Sequence, residues 1–172
     1  MSVEGKYLGM TLQVSDLDIE NKAYFAHLAR HDFHLQRCVG CHRFRYPPTT
    51  GCPWCSNADS TWESVEGKGT VHSYVEVHQA IQPAFKPHLP YAYLLVDLDT
   101  QKGEPTEHES LRVIGNLVTP DGKLAPPEIV KKVGIGSRVK MVFADVGDGL
   151  SLLQWTLDDH QPSTPPWRYP ER

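Results

Sequence analysis

Cys38-Val39-Gly40-Cys41 and Cys52-Pro53-Trp54-Cys55 are separated by ten residues and account for every cysteine in the chain. Two residues between the ligands of a pair let the chain turn through a tight knuckle, so both sulfurs can reach one ion at about 2.3 Å. Gly40 permits backbone angles that a side chain resists, and Pro53 pre-sets the second turn. Each pair supplies half of a tetrahedral shell, and the four thiolates together leave no position open. The pattern points to structural zinc on Cys38, Cys41, Cys52 and Cys55.

Iron of the rubredoxin kind uses the same four-thiolate shell and stays open as an alternative, with an electron-transfer role. Disulfides suit a secreted protein, and the opening Met1-Ser2-Val3-Glu4-Gly5-Lys6 carries no apolar leader. A redox dithiol needs one pair at a helix start beside a parallel sheet, which this Pro- and Gly-rich connector does not offer. With all four thiols on metal, no thiolate nucleophile remains and a closed shell activates no water. No nucleophile elbow, phosphate loop or dinucleotide fingerprint occurs either, so the chain is not expected to be catalytic alone.

Around the first pair, residues 27–45 hold Arg30, Arg37, Arg43 and Arg45 with His27, His31, His34 and His42, against Asp32 as the one acid. This is either a solvated rim or an anion site for a phosphate-bearing ligand or an acidic partner, with Arg37, Arg43 and Arg45 as candidate contacts. Upstream, residues 15–32 read as helix: Ser15 or Asp18 can cap it, Glu20 places a carboxylate in the first turn, and Tyr24, Phe25 and Leu28 share one side.

Downstream of the cysteines the period becomes two. Val71, Val75 and Val77 alternate with His72, Tyr74, Glu76 and His78 after Gly67 and Gly69. That alternation puts His72, His78 and Glu76 on one face, either as a polar barrel surface or as a proton-transfer set. Strands are expected over 68–78, 91–98, 111–118, 138–145 and 150–157, with a short helix between 125 and 136 where Pro126 and Pro127 enter and Gly134 exits. Five antiparallel strands with one helix between the third and fourth describe an OB-fold. The expected organisation is a helical segment over 1–32, a zinc ribbon over 33–66, the barrel over 67–158 and a Pro-rich tail over 159–172, a mainly β protein. The polar stretch 100–110 should be an exposed loop. Residues 79–91 carry three prolines and present Ile81, Phe85 and Leu89, an apolar lip for an acyl chain or a partner, with Lys86 and His88 near phosphate and Tyr91 at its end.

The 172 residues carry seventeen Lys plus Arg against twenty-one Asp plus Glu, a net charge of −4. That balance disfavours a general nucleic-acid binder, whose affinity rests on neutralised phosphates, although Phe33, Phe44 and Tyr46 among the arginines keep a single-strand-binding module as an alternative. The longest apolar run, 92–96, is far short of the ~20 residues that span a bilayer, and a cytoplasmic protein is expected.

The order of these motifs resembles a known family. A leading helix, a four-cysteine ribbon with Pro47-Pro48 between the knuckles, Gly67-Lys68-Gly69 and a barrel with Pro90-Tyr91 opening its second strand are similar to the zinc-ribbon/OB-fold proteins that accompany thiolase-like enzymes. The resemblance implies a small accessory subunit that binds an acyl-coenzyme A thioester. It also implies a large partner: a thiolase, an acyltransferase, a lipid-transfer-protein-like retro-aldolase or, alternatively, an acyl-CoA hydratase. Catalytic groups would then belong to the partner.

Overall fold

The computed structural model describes residues 2–170. The chain opens with a hairpin that the pattern reading did not foresee. Strands β1 (Val3–Tyr7) and β2 (Met10–Val14) pair antiparallel, with Tyr7 opposite Met10. Leu8 and Gly9 both take positive φ, 50° and 81°, as a two-residue primed turn requires. The hairpin lies against the barrel so closely that a Cβ at Gly5 would stand 2.7 Å from the Val146 carbonyl oxygen.

Helix α1 (Ile19–Leu28) is shorter than the 15–32 read from sequence. Its cap is Asp18, whose carboxylate accepts from the Asn21 backbone N–H at 3.0 Å. Tyr24 and Leu28 are buried, so the helix packs on its own domain. The chain then reverses through His31, at φ 55°, into the ribbon.

In the ribbon, β3 (His34–Cys38) lies between β4 (Phe44–Arg45) and β5 (Ser60–Ser64). Its polar interior is a buried pair: Arg45 donates to Gln36 Oε1 at 3.2 Å and to Ser60 Oγ at 3.0 Å, and Thr49 N–H donates to Gln36 Oε1 at 2.8 Å. One guanidinium thus ties all three strands, and buried charge survives because it is hydrogen-bonded.

The barrel strands are β6 (Lys68–Val77), β7 (Tyr91–Leu98), β8 (Arg112–Asn116), β9 (Arg138–Gly147) and β10 (Leu150–Leu157), in the order β10-β9-β6-β7-β8. A parallel bridge between Leu117 and Trp155 joins the end of β8 to β10 and closes the ring. Short helix α2 (Pro127–Val130) sits between β8 and β9, which completes the OB-fold order. Inside, Leu94, Val96, Val113, Val139 and Trp155 are fully buried. At Gly69 a Cβ would lie 2.4 Å from the Asp97 carbonyl oxygen, so the strand crossing there admits only glycine.

Phe33, Leu35, Tyr24 and Leu28 belong to the same buried cluster as Trp155. Ribbon, helix and barrel therefore share one core. A second cluster of Ala80, Phe85 and Tyr91, with Tyr7, Leu8, Met10 and Leu124 against it, seals the barrel end beneath the hairpin and a 3-10 helix over Pro83–His88.

Two connections depart from a passive role. Gln101, in the polar stretch 100–110, accepts from the Phe44 N–H at 2.6 Å and donates to the Phe44 carbonyl at 3.3 Å, hooking the ribbon edge to the barrel. In the tail, Trp167 exchanges two backbone hydrogen bonds with Ile135, each 2.9 Å. Arg168 donates to the Val130 and Val133 carbonyls and to Glu76 Oε2 at 2.9 Å, and lies over the Tyr74 ring. The tail docks on its own domain.

Candidate functional site

The two knuckles bring the four cysteines together. Backbone N–H groups of His42 and Ser56 turn back on the Cys38 and Cys52 carbonyls at 3.0 and 2.9 Å, and both closing residues take positive φ, 60° and 62°. Cys38 Sγ stands 3.5 Å from Cys55 Sγ, and Cys41 Sγ 3.6 Å from Cys52 Sγ, with all four ligand atoms within 4.8 Å of one another. Sulfurs about 2.3 Å from a tetrahedral ion would be about 3.8 Å apart, so the donor set fits one metal after a shift of tenths of an ångström.

The thiols press on one another electrostatically. The Cys41 backbone N–H draws the Cys38 thiol down to about 6, against the effect of burial. At Cys55 the Asn57 backbone N–H lowers the pKa, but the sulfurs of Cys38, Cys41 and Cys52 outweigh it together with burial, and the thiol is pushed up to about 11. Repulsion among the sulfurs disfavours four thiolates here, and a bound cation would relieve it. Trp54 lies near the Arg43 guanidinium, 6.0 Å from ring centre to Cζ.

The other candidates are dispersed. Arg37 donates to the His42 carbonyl at 2.8 Å and to Glu63 at 3.0 Å on the ribbon surface, whereas Arg45 is an internal strut and presents nothing to a ligand. In 79–91, Ile81 and Lys86 are exposed and His88 is half-buried, but Phe85 and Tyr91 stack on each other inside the second core cluster, ring centres 4.8 Å apart. The lip reading therefore fails for Phe85 and Tyr91, because the unforeseen hairpin covers them. The face of His72, Glu76 and His78 is also broken. A register shift between Val71 and Ser73 turns the strand over, leaving Val75 58% exposed and His72 paired with Asp97 at 3.0 Å. Glu76 keeps His78 beside it, 3.2 Å from Oε1, and pairs through Oε2 with Arg168 at 2.9 Å.

A cavity of about 690 Å³ opens where the hairpin meets the barrel. Lys6, Tyr7 and Leu8 line one side, with His88, Lys123 and Leu124 among the residues opposite. The Tyr7 hydroxyl is buried with no hydrogen-bond partner among the described residues, and burial first, then Tyr93 and Tyr91, pushes its pKa up to about 12. It remains a neutral O–H donor. Of these residues only His88 was legible beforehand. Gly9 between two alternating apolar runs was the signal that would have given the hairpin, and with it Lys6 and Tyr7.

Comparison with known proteins agrees with this architecture. The family model of the ChsH2 C-terminal OB-fold domain matches residues 62–144. No curated protein gives a match. A solved structure described as an Ltp2–ChsH2(DUF35) aldolase aligns with a TM-score of 0.64 and 26% identity, covering 84% of this chain and 98% of that one. Another, described as a DUF35-family protein of unknown function from Sulfolobus solfataricus, shares the fold at a TM-score of 0.52 and 12% identity, over 82% of this chain and 87% of that one. No helix of the described residues is long and apolar enough to cross a membrane. The four-cysteine ribbon and the closed barrel order agree with these likenesses, and over residues 62–144 the barrel is similar to the ChsH2 C-terminal OB-fold domain.

Proposed function

We propose that this protein is the accessory subunit of a retro-aldolase whose large subunit is lipid-transfer-protein-like, and that it helps to hold the acyl-coenzyme A substrate. The observation that carries this reading is the alignment over 98% of a chain described as part of an Ltp2–ChsH2(DUF35) aldolase. The four cysteines hold structural zinc in this reading. A retro-aldol step on a β-hydroxyacyl thioester breaks the bond between the α and β carbons. The β-hydroxyl loses its proton and becomes a carbonyl, and the electron pair passes to the α carbon, which is then protonated. The base and acid belong to the partner.

This chain contributes binding. The cavity beneath the hairpin has the size of a ligand site, and it combines apolar Leu8 and Leu124 with Lys6, His88 and Lys123; Asp121 and Asp145 line it too, and a phosphate would have to take Lys123 from Asp121, 2.7 Å away. The Tyr7 hydroxyl, buried without a partner, offers a donor to a carbonyl or phosphate oxygen. Calorimetric titration of the protein with an acyl-coenzyme A tests this assignment. The double variant Lys6→Ala, Lys123→Ala should bind about tenfold more weakly, the equivalent of about 1.4 kcal/mol. Unchanged affinity would move the ligand elsewhere.

A further inference from the structure

We propose that His27, Asp32 and His34 form a second metal site, half-buried and distinct from the four cysteines, for a borderline divalent cation such as Zn²⁺. The three residues come from different pieces of the fold: His27 from the last turn of α1, Asp32 from the reversal after it and His34 from the start of β3. Their ligand atoms all lie within 4.8 Å of one another. The His34 Nδ1 is buried and stands 3.0 Å from Asp32 Oδ1, yet it is outside the alignment a hydrogen bond needs and has no other partner among the described residues. The His27 Nδ1 lies 3.9 Å from Asp32 Oδ2.

Two ligands each about 2.1 Å from a tetrahedral ion are about 3.4 Å apart. The observed 3.0 and 3.9 Å bracket that spacing. A close but misaligned nitrogen–oxygen pair is what two neighbouring ligands of one ion leave when the ion is taken away. The rings are also held in place. His27 stacks on His34 with centroids 4.3 Å apart and 15° between planes, and on Trp62 at 5.4 Å. Two imidazoles and one carboxylate suit zinc and its neighbours, and three protein ligands leave a position for water or a further ligand. Bound there, the ion would clamp α1 to the ribbon.

One group opposes binding: the exposed Arg30, whose Nη2 lies 3.0 Å from the His27 Nδ1. A cation must displace that guanidinium and bear its charge, which gives the site a variant that should improve it. The test is calorimetric titration of the full-length protein with ZnCl₂, combined with thermal unfolding. Wild type should take up an equivalent of zinc beyond that taken up by Asp32→Asn, His34→Gln, and its Tm should rise with zinc where the variant's does not. Arg30→Ala should bind this equivalent more tightly, and the loss of ligands in the double variant should weaken it by about tenfold or more. The metal-free melting temperatures show whether each variant is folded. Equal zinc uptake by wild type and the double variant would overturn the site, as would loss of the extra equivalent on replacing the exposed His108 and His160 instead.

Discussion

At the scale of single residues, the cysteines were legible because metal-ligand spacing is local and does not depend on how the rest of the chain folds. Arg45 was not legible. Four arginines near a knuckle look like a rim, and only the packing of three strands around Gln36 turns one of them inward. The account predicts that Cys52→Ser removes zinc from the purified protein, read by elemental analysis. It should also lower the melting temperature of the whole chain in one transition, since Phe33 and Leu35 of the ribbon share the barrel's core. A barrel melting unchanged beside an unfolded ribbon would contradict the shared core. Asp99 makes a second prediction at this scale. Hydrogen bonds from Arg138, acting against burial, hold its carboxyl below the usual carboxylate range. Such a group stabilises the fold fully above its unfolded pKa of about 3.9, and loses that effect as pH falls through the lower folded value. Asp99→Asn should therefore be less stable than wild type at neutral pH in urea unfolding. The difference should narrow below about pH 4, and a gap that stayed constant down to pH 2 would exclude the ion pair as its cause.

Among the elements, the five barrel strands and the helix between β8 and β9 could be read from alternation and from Pro126, Pro127 and Gly134. What alternation could not reveal was the irregularity inside β6. A bulge at Val71/Ser73 shifts the facing of the residues that follow it, so Val75 was expected inside and is outside, while Val77 still packs on the second core cluster. The tail shows the opposite lesson: its prolines exclude regular structure, but Trp167 and Arg168 still find partners on a completed surface. Gly134 makes this docking possible, because a Cβ there would stand 2.3 Å from the Trp167 carbonyl oxygen. Gly134→Ala should therefore free the tail, as should Arg168→Ala, which removes donors to two backbone carbonyls and Glu76 at a cost of about 1–3 kcal/mol. Limited proteolysis should cut the tail faster in both variants, and protection equal to wild type would show that the docking rests elsewhere.

At the scale of the whole molecule, the ribbon, leading helix and barrel form one packed body, with four cysteines close enough to share a metal in the ribbon and a ligand-sized cavity where the hairpin meets the barrel. The family architecture followed from motif order, whereas the cavity did not, because it needs the hairpin to meet the barrel across most of the chain length. Nothing in the cysteine shell is left for catalysis once metal fills it, and the proposed function assigns the reaction to a second protein. The account's central claim is best tested by reconstitution. A lipid-transfer-protein-like enzyme of the same organism would be purified with and without this protein and supplied with a β-hydroxyacyl-coenzyme A, and the cleaved carbonyl product measured by mass spectrometry. The account predicts a stable complex of the two proteins and product formed at an appreciable rate only when both are present. Separate elution of the two proteins, with the large enzyme equally active alone, would contradict it.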